Sequence, residues 1–205
     1  MTTWLHEERL AAVDQAVRAT QAARVLDLGC GDGDLFVRLA QEPGIARLVG
    51  LDISAEALDR LRRRLARLGP RAHGIELRLA SMTDPAPDLT GFDCAVLVET
   101  IEHVPPERLS RLERAIFGDM RPWHVVITTP NAEFNPLLGV PPHRFRHPDH
   151  RFEWTRARFR QWAERAASAA GYGVALHDVA GCHPDLGGAS QMAVFDRRHR
   201  PDEGA

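Results

Sequence analysis

Apolar residues recur along this chain in two alternating rhythms. Apolar-rich segments near 24–28, 48–52, 75–79, 92–98 and 123–128 read as strands. Helically spaced apolar residues lie between and around them. Leu5, Leu10, Val13 and Val17 fall on one side of a helix leading into the first strand, and Leu35, Phe36 and Leu39 keep helical spacing after it. Ser54 is placed to cap a helix whose buried stripe is Leu58, Leu61, Leu65 and Leu68. Arg60, Arg62, Arg63, Arg64 and Arg67 occupy that helix's other faces, the pattern of a solvated surface. Pro105-Pro106 suits a turn into a helix cored by Leu109, Leu112 and Ile116. Another helix starts near Thr155, with Phe159, Trp162, Ala163 and Ala166 inward, and two strands near 174–179 and 191–196 follow.

Alternation of this kind predicts an α/β fold: a seven-stranded, mostly parallel sheet covered on both faces, with an antiparallel C-terminal hairpin. A chain of 205 residues fits a single domain over 1–205, and no repeat or low-complexity tract divides it. The proline-rich, polar stretch from Thr129 to Glu153 reads as one long functional loop, and the tail from about 197 as disordered.

Composition adds three constraints. The formal net charge of −2 sets up no global field toward nucleic acid. Every fixed side-chain cation is arginine, which can fork onto phosphate and stack on bases. Cys30, Cys94 and Cys182 show no paired spacing, so structural disulfides are not expected. With no signal-like N-terminus and no apolar run of membrane-spanning length, a cytoplasmic protein that meets no membrane is expected.

The first strand runs straight into Asp27-Leu28-Gly29-Cys30-Gly31-Asp32-Gly33. Glycines there permit positive φ and let backbone approach a ligand closely. Asp52 ends the next strand, where an acid can accept both hydroxyls of a ribose. A carboxylate at Asp27 would repel a pyrophosphate, which argues against NAD, and suits a ligand with an amino group and a sulfonium. The arrangement resembles the S-adenosyl-L-methionine site of class I methyltransferases, a Rossmann-like fold.

A second constellation follows the fourth strand: Glu99-Thr100-Ile101-Glu102-His103, with His150 about fifty residues on. Ligands in open parallel sheets bind beyond the carboxyl ends of the strands, so all four residues reach the rim that carries the glycine loop. Two carboxylates and two imidazoles suit Mn2+, Fe2+, Co2+ or Zn2+, with Mg2+ a harder fit. His143 or His147 could stand in for His150, which Asp149 could instead satisfy as an ordinary loop histidine.

Glu99-x-x-Glu102-His103, Thr128-Thr129-Pro130-Asn131-Ala132-Glu133-Phe134-Asn135 and Arg146-His147-x-Asp149-His150-Arg151-Phe152-Glu153-Trp154-Thr155 resemble the signature of the Hen family. These are 2′-O-methyltransferases of RNA 3′ ends. The similarity runs from about Leu5 to the strand at Gln191–Phe195, nearly the whole chain. It implies Glu99, Glu102, His103 and His150 as ligands of one divalent ion, Mg2+ or Mn2+. It also places Gly29, Asp52 and Ser81 at S-adenosyl-L-methionine-contacting positions, beside Asp27 and Gly31 of the loop. The implied partner is an RNA 3′ end with free 2′- and 3′-hydroxyls. Many bacterial relatives carry a long N-terminal half that partners an end-healing and ligase enzyme, and this sequence does not show it. Arg144, Arg146, Arg151, Arg156, Arg158 and Arg160 are candidate phosphate contacts around His150, some of them expected to pair with Asp149 or Glu153.

The competing reading is a small-molecule O-methyltransferase acting on vicinal hydroxyls of catechols, because such enzymes can carry a similar Glu-x-x-Glu-His. The Asp149-to-Trp154 motif and its arginines favour RNA. A non-catalytic binding subunit fits poorly with an intact glycine loop and an intact ligand set.

Overall fold

The computed structural model describes residues 4–197. Helix α1 (Trp4–Ala19) precedes β1 (Arg24–Leu28), α2 (Phe36–Leu39), β2 (Arg47–Asp52), α3 (Ala55–Leu68), β3 (Gly74–Leu79) and β4 (Cys94–Val98). Then come α4 (Leu109–Arg114), β5 (His124–Pro130), α5 (Arg156–Ala170), β6 (Tyr172–Val179) and β7 (Ser190–Arg197). The seven strands form one sheet in the order β3-β2-β1-β4-β5-β7-β6. Neighbours among β1 to β5 pair in parallel, while β7 runs antiparallel to both β5 and β6. The expected C-terminal hairpin is therefore present, and its second strand lies between β5 and β6.

Alternate strand positions feed two apolar layers, because successive side chains in a strand point to opposite faces. Leu26, Val49, Leu97, Ile127 and Phe195 pack with α4 and α5. Val25, Leu48, Val96, Val126 and Met192 pack with α1, α2 and α3. Strand order reverses between β1 and β4, the switch point where open sheets of this kind bind ligands. The glycine loop leaves β1 on one side of that point, and Glu99 follows β4 on the other.

Several expectations need correcting. Leu68, expected in the buried stripe, is 52% exposed: it is the last residue of α3, which Gly69 ends by turning left-handed at φ 61°. The segment at Leu35–Leu39 gives only the four-residue α2. The helix after Pro105-Pro106 begins as a 3-10 turn and ends as a π turn over Ala115–Met120. The stretch from Thr129 to Glu153 is not one loop. Thr129 and Pro130 extend β5 by pairing with Gln191 and Ser190, and Ala132–Leu138 forms 3-10 turns. Of the tail expected to be disordered, Arg197 ends β7 and 198–205 lie outside the described residues. No described helix is long and apolar enough to cross a membrane, and all three cysteines are free.

Candidate active site

The turn after β1 holds Gly29, Gly31 and Gly33 at φ 82°, 52° and 85°. At Gly29 a Cβ would come within 2.4 Å of the Thr100 side chain, so the glycine lets the β1 and β4 loops touch. The first turn is pinned by Gly29 and Cys30, whose N–H groups donate to the Leu51 carbonyl at 2.8 and 3.0 Å. Asp52 is held from both sides: Oδ2 accepts from Gly31 N and Oδ1 from Ser54 N, each at 2.8 Å. Asp27 is buried at the end of β1, and burial, then the Asp52 charge, raises its carboxyl to about 7. Asp27, Gly29, Gly31, Asp52 and Ser81 all line one cavity of 890 Å³. Arg60 and Arg64 of α3 pair with Asp32 and Asp34 of the loop, as a solvated face with local partners would.

Glu99 and His103 line the same cavity from the β4 side. Glu99 adopts φ 50°, a conformation that non-glycine residues seldom take and that costs on the order of 1–3 kcal/mol. Two bonds to Thr128 hold it there, Glu99 N donating to the carbonyl at 3.2 Å and to Oγ1 at 3.1 Å. Its Oε2 lies 3.4 Å from Arg9 Nη1 of α1. Arg9 also contacts His6 Nδ1, and His6 Nε2 contacts Asp34 Oδ2, so α1 bridges the glycine loop and Glu99. Glu102 is fully buried, and burial, then Glu99, pushes its carboxyl well up. Glu99 Oε1 and Glu102 Oε1 are buried without a hydrogen-bond partner.

His150 arrives from the loop before α5. Arg151 N donates to the Glu102 carbonyl at 2.7 Å, which docks that loop onto the β4 turn. One nitrogen from each of His103, His147 and His150 lies within 4.8 Å of the others. Burial, then His150 and His147, lowers the His103 pKa and favours its neutral ring. Among the described residues the donor atoms brought within reach of one ion are those of the three histidines. Glu99 and Glu102, not grouped with them, each keep an unpartnered buried oxygen. Imidazole and carboxylate donors suit a divalent transition-metal cation.

A model described as a methyltransferase domain matches residues 25–122. The small RNA 2'-O-methyltransferase of Xenopus tropicalis is 37% identical over 209 residues, 97% of this chain and 56% of that protein. This chain thus spans about half the length of the curated relatives it matches. Over 94% of its length it superposes on the methyltransferase domain of bacterial CtHen1-C, with 35% identity, a TM-score of 0.83 and coverage of 98% of that chain. The chain belongs to the Hen1 methyltransferase family. A structure of small RNA methyltransferase HEN1 gives a TM-score of 0.87 at 30% identity, covering 95% of this chain and 26% of that one. The seven-stranded sheet is accordingly the class I S-adenosyl-L-methionine-dependent methyltransferase fold.

The Hen1-type domain places the sequence-chosen residues in two groups. The five loop and strand-end residues share the cavity with Glu99 and His103, whereas Glu102 and His150 sit outside its lining and join it through those two. His150 is satisfied by Glu153, at 2.6 Å, and not by Asp149. His147 joins His150 in the cluster where the sequence offered it only as a replacement. Two of the six arginines serve the fold. Arg146 donates to Asn135 Oδ1 and to the carbonyls of Ala189 and Asn131, and Arg156 pairs with Glu133. Sequence reasoning missed Arg9, His6, Thr129 and Glu153. Only Glu153, three residues after His150, left a local signal.

Proposed function

We propose that this chain transfers a methyl group from S-adenosyl-L-methionine to the 2′-hydroxyl of the 3′-terminal nucleotide of RNA. One observation carries the reading: the cavity behind the glycine loop opens directly onto Glu99 and His103, and His147 and His150 stand beside them. A methyl donor and an acceptor hydroxyl can therefore meet at one rim. The relatives of the Hen1 family support RNA as the acceptor.

S-adenosyl-L-methionine, when bound, supplies a methyl group on a cationic sulfonium. Asp27 offers its buried carboxylate to the cofactor's cationic end. Asp52 spends one lone pair of each oxygen on backbone N–H groups and keeps further acceptor capacity for ribose hydroxyls. Gly29 and Gly31 keep the approach open, and Ser81 borders the cavity.

Glu99, Glu102, His103 and His150 would hold one divalent ion, Mg2+ or Mn2+, and such an ion makes a coordinated hydroxyl more acidic at neutral pH. The two unpartnered carboxylate oxygens and the clustered imidazoles favour this. Arg9 offsets the charge of Glu99, and Thr128 fixes the backbone from which Glu99 projects. Arg144 and Arg151 are exposed and make no ion pair among the described residues, which leaves both for phosphate. Transfer of a labelled methyl group to diol-ended RNA should stop in excess chelator and return with Mn2+. Glu99→Ala and His103→Ala should nearly abolish it while sparing S-adenosylhomocysteine binding. Full activity in chelator would refute the metal reading.

A further inference from the structure

The hydrogen-bond directions around His150 can be read outward from a group that cannot accept. Arg146 carries a guanidinium, which only donates. Its Nη1 and Nη2 are tied to the carbonyls of Ala189 and Asn131, at 2.7 and 2.5 Å, so the fork is fixed in place. Its Nε donates to Asn135 Oδ1 at 2.5 Å, which settles the orientation of that amide. Asn135 Nδ2 must then face Glu153 Oε2, 2.6 Å away, as a donor. The backbone N–H of Arg146 donates to Glu153 Oε1 at 2.7 Å.

Glu153 is thus an acceptor on both oxygens, with a side chain only 1% exposed. Burial pushes its carboxyl up, but the bonds from His150, Asn135 and Arg146 N outweigh that and hold it below the usual carboxylate range. The remaining neighbour, His150 Nδ1, lies 2.6 Å from Oε1 and must be the protonated nitrogen. In the neutral ring Nε2 is then the lone-pair atom.

We propose that Glu153 is a positioning residue, set by Arg146 and Asn135, that locks His150 in its Nδ1–H form so that Nε2 is the nitrogen it offers to the His103–His147–His150 cluster. The inference rests on the proposed role of His150. A carboxylate behind a ligating imidazole fixes its tautomer and orientation and raises its basicity, and losing one commonly weakens metal binding 10–100-fold. A glutamine cannot replace it silently. Three donors converge on this side chain, and an amide would turn a donor of its own toward Asn135 or His150.

The test uses the full chain without RNA. Long-range 1H–15N spectra of the wild type should show His150 protonated at Nδ1. Titration with Mn2+, followed by the loss of free-ion electron paramagnetic resonance, should show about 10–100-fold weaker uptake in Glu153→Gln, with S-adenosylhomocysteine affinity unchanged. His150 protonated at Nε2 in the wild type overturns the inference even if the variant does not fold. A wild type that binds Mn2+ and a Glu153→Gln variant that binds it equally well overturns the inference alone. A wild type that takes up no Mn2+ overturns the metal reading, and this inference with it.

Discussion

Thr129 donates its hydroxyl hydrogen to Glu102 Oε2 across 3.0 Å, and neither residue meets solvent. The end of strand β5 therefore grips one oxygen of a carboxylate that follows β4, and the other oxygen is left without a partner. A buried acid held in this way costs the folded state unless a cation completes it. Glu102→Gln removes the charge and keeps the shape. In chelator it should melt a few degrees higher than the wild type, because about 1 kcal/mol is worth 2–4 °C in a domain of this size. Its methyl transfer should fall at least about a hundredfold, by analogy with losing a preorganised group at a reacting oxygen. Thermal unfolding and a transfer assay check both, and a lower melting point would contradict the first.

The Asp27 carboxyl gives a pH dependence with a definite sign. Its folded-state pKa is raised from 3.8 to about 7, by burial and then Asp52. The protonated form is the one the fold prefers, so its stability contribution is full below pH 3.8 and is lost as pH rises through about 7. A cationic ligand reverses the preference and releases a proton on binding. S-adenosylhomocysteine affinity should therefore rise between pH 6 and 8, by up to about tenfold per unit below 7, for a single linked proton. Asp27→Asn should stabilise the ligand-free chain and flatten that profile. Calorimetry across the range decides, and a flat wild-type profile would show that Asp27 stays neutral in the complex.

Arg146 was grouped with the phosphate contacts in the sequence, and its geometry assigns it to the fold. All three guanidinium nitrogens are spent inside the protein. Arg146→Ala leaves buried acceptors unpaired and should destabilise the chain by about 3 kcal/mol, on the order of 10 °C in melting temperature. A variant that melts like the wild type and loses only RNA affinity would return Arg146 to the RNA surface.

Arg144 and Arg151, exposed and close in sequence to His147 and His150, remain as candidate phosphate contacts. Replacing both with alanine should raise the Michaelis constant for RNAs of different sequence by the same factor. The slope of log affinity against log salt should become shallower by about 0.7 per lost contact for single strands. Factors that differ with base sequence would mean that these residues read bases.

Most strands were legible as short apolar runs, β3 instead alternating apolar and charged residues, and all seven lie within two residues of where the sequence placed them. The loop from Thr129 was less legible. Its first two residues pair with Gln191 and Ser190, some sixty positions later, and no local pattern announces that. The site divides in the same way. Asp27, Gly29 and Asp52 sit at strand ends, where fold and chemistry coincide. Arg9 reaches Glu99 from a helix ninety residues earlier, and its role depends on packing alone. His147 and His150 were both visible, but their joint approach to His103 required the docking of Arg151 N onto Glu102.

Recognition of the RNA 3′ end is tested most directly by methyl transfer from labelled S-adenosyl-L-methionine to RNAs that differ only in the last ribose. The panel is a 2′,3′-diol, a 2′-deoxy end, a 3′-deoxy end and a 3′-phosphate, with a small catechol in parallel. Label should enter the diol RNA, and the 3′-deoxy RNA should lose activity although its reacting hydroxyl is intact, because both terminal oxygens are to be recognised at the Glu99–His150 cluster. The 2′-deoxy and 3′-phosphate ends and the catechol should stay unlabelled. Efficient methylation of the catechol with the diol RNA untouched would contradict the RNA assignment.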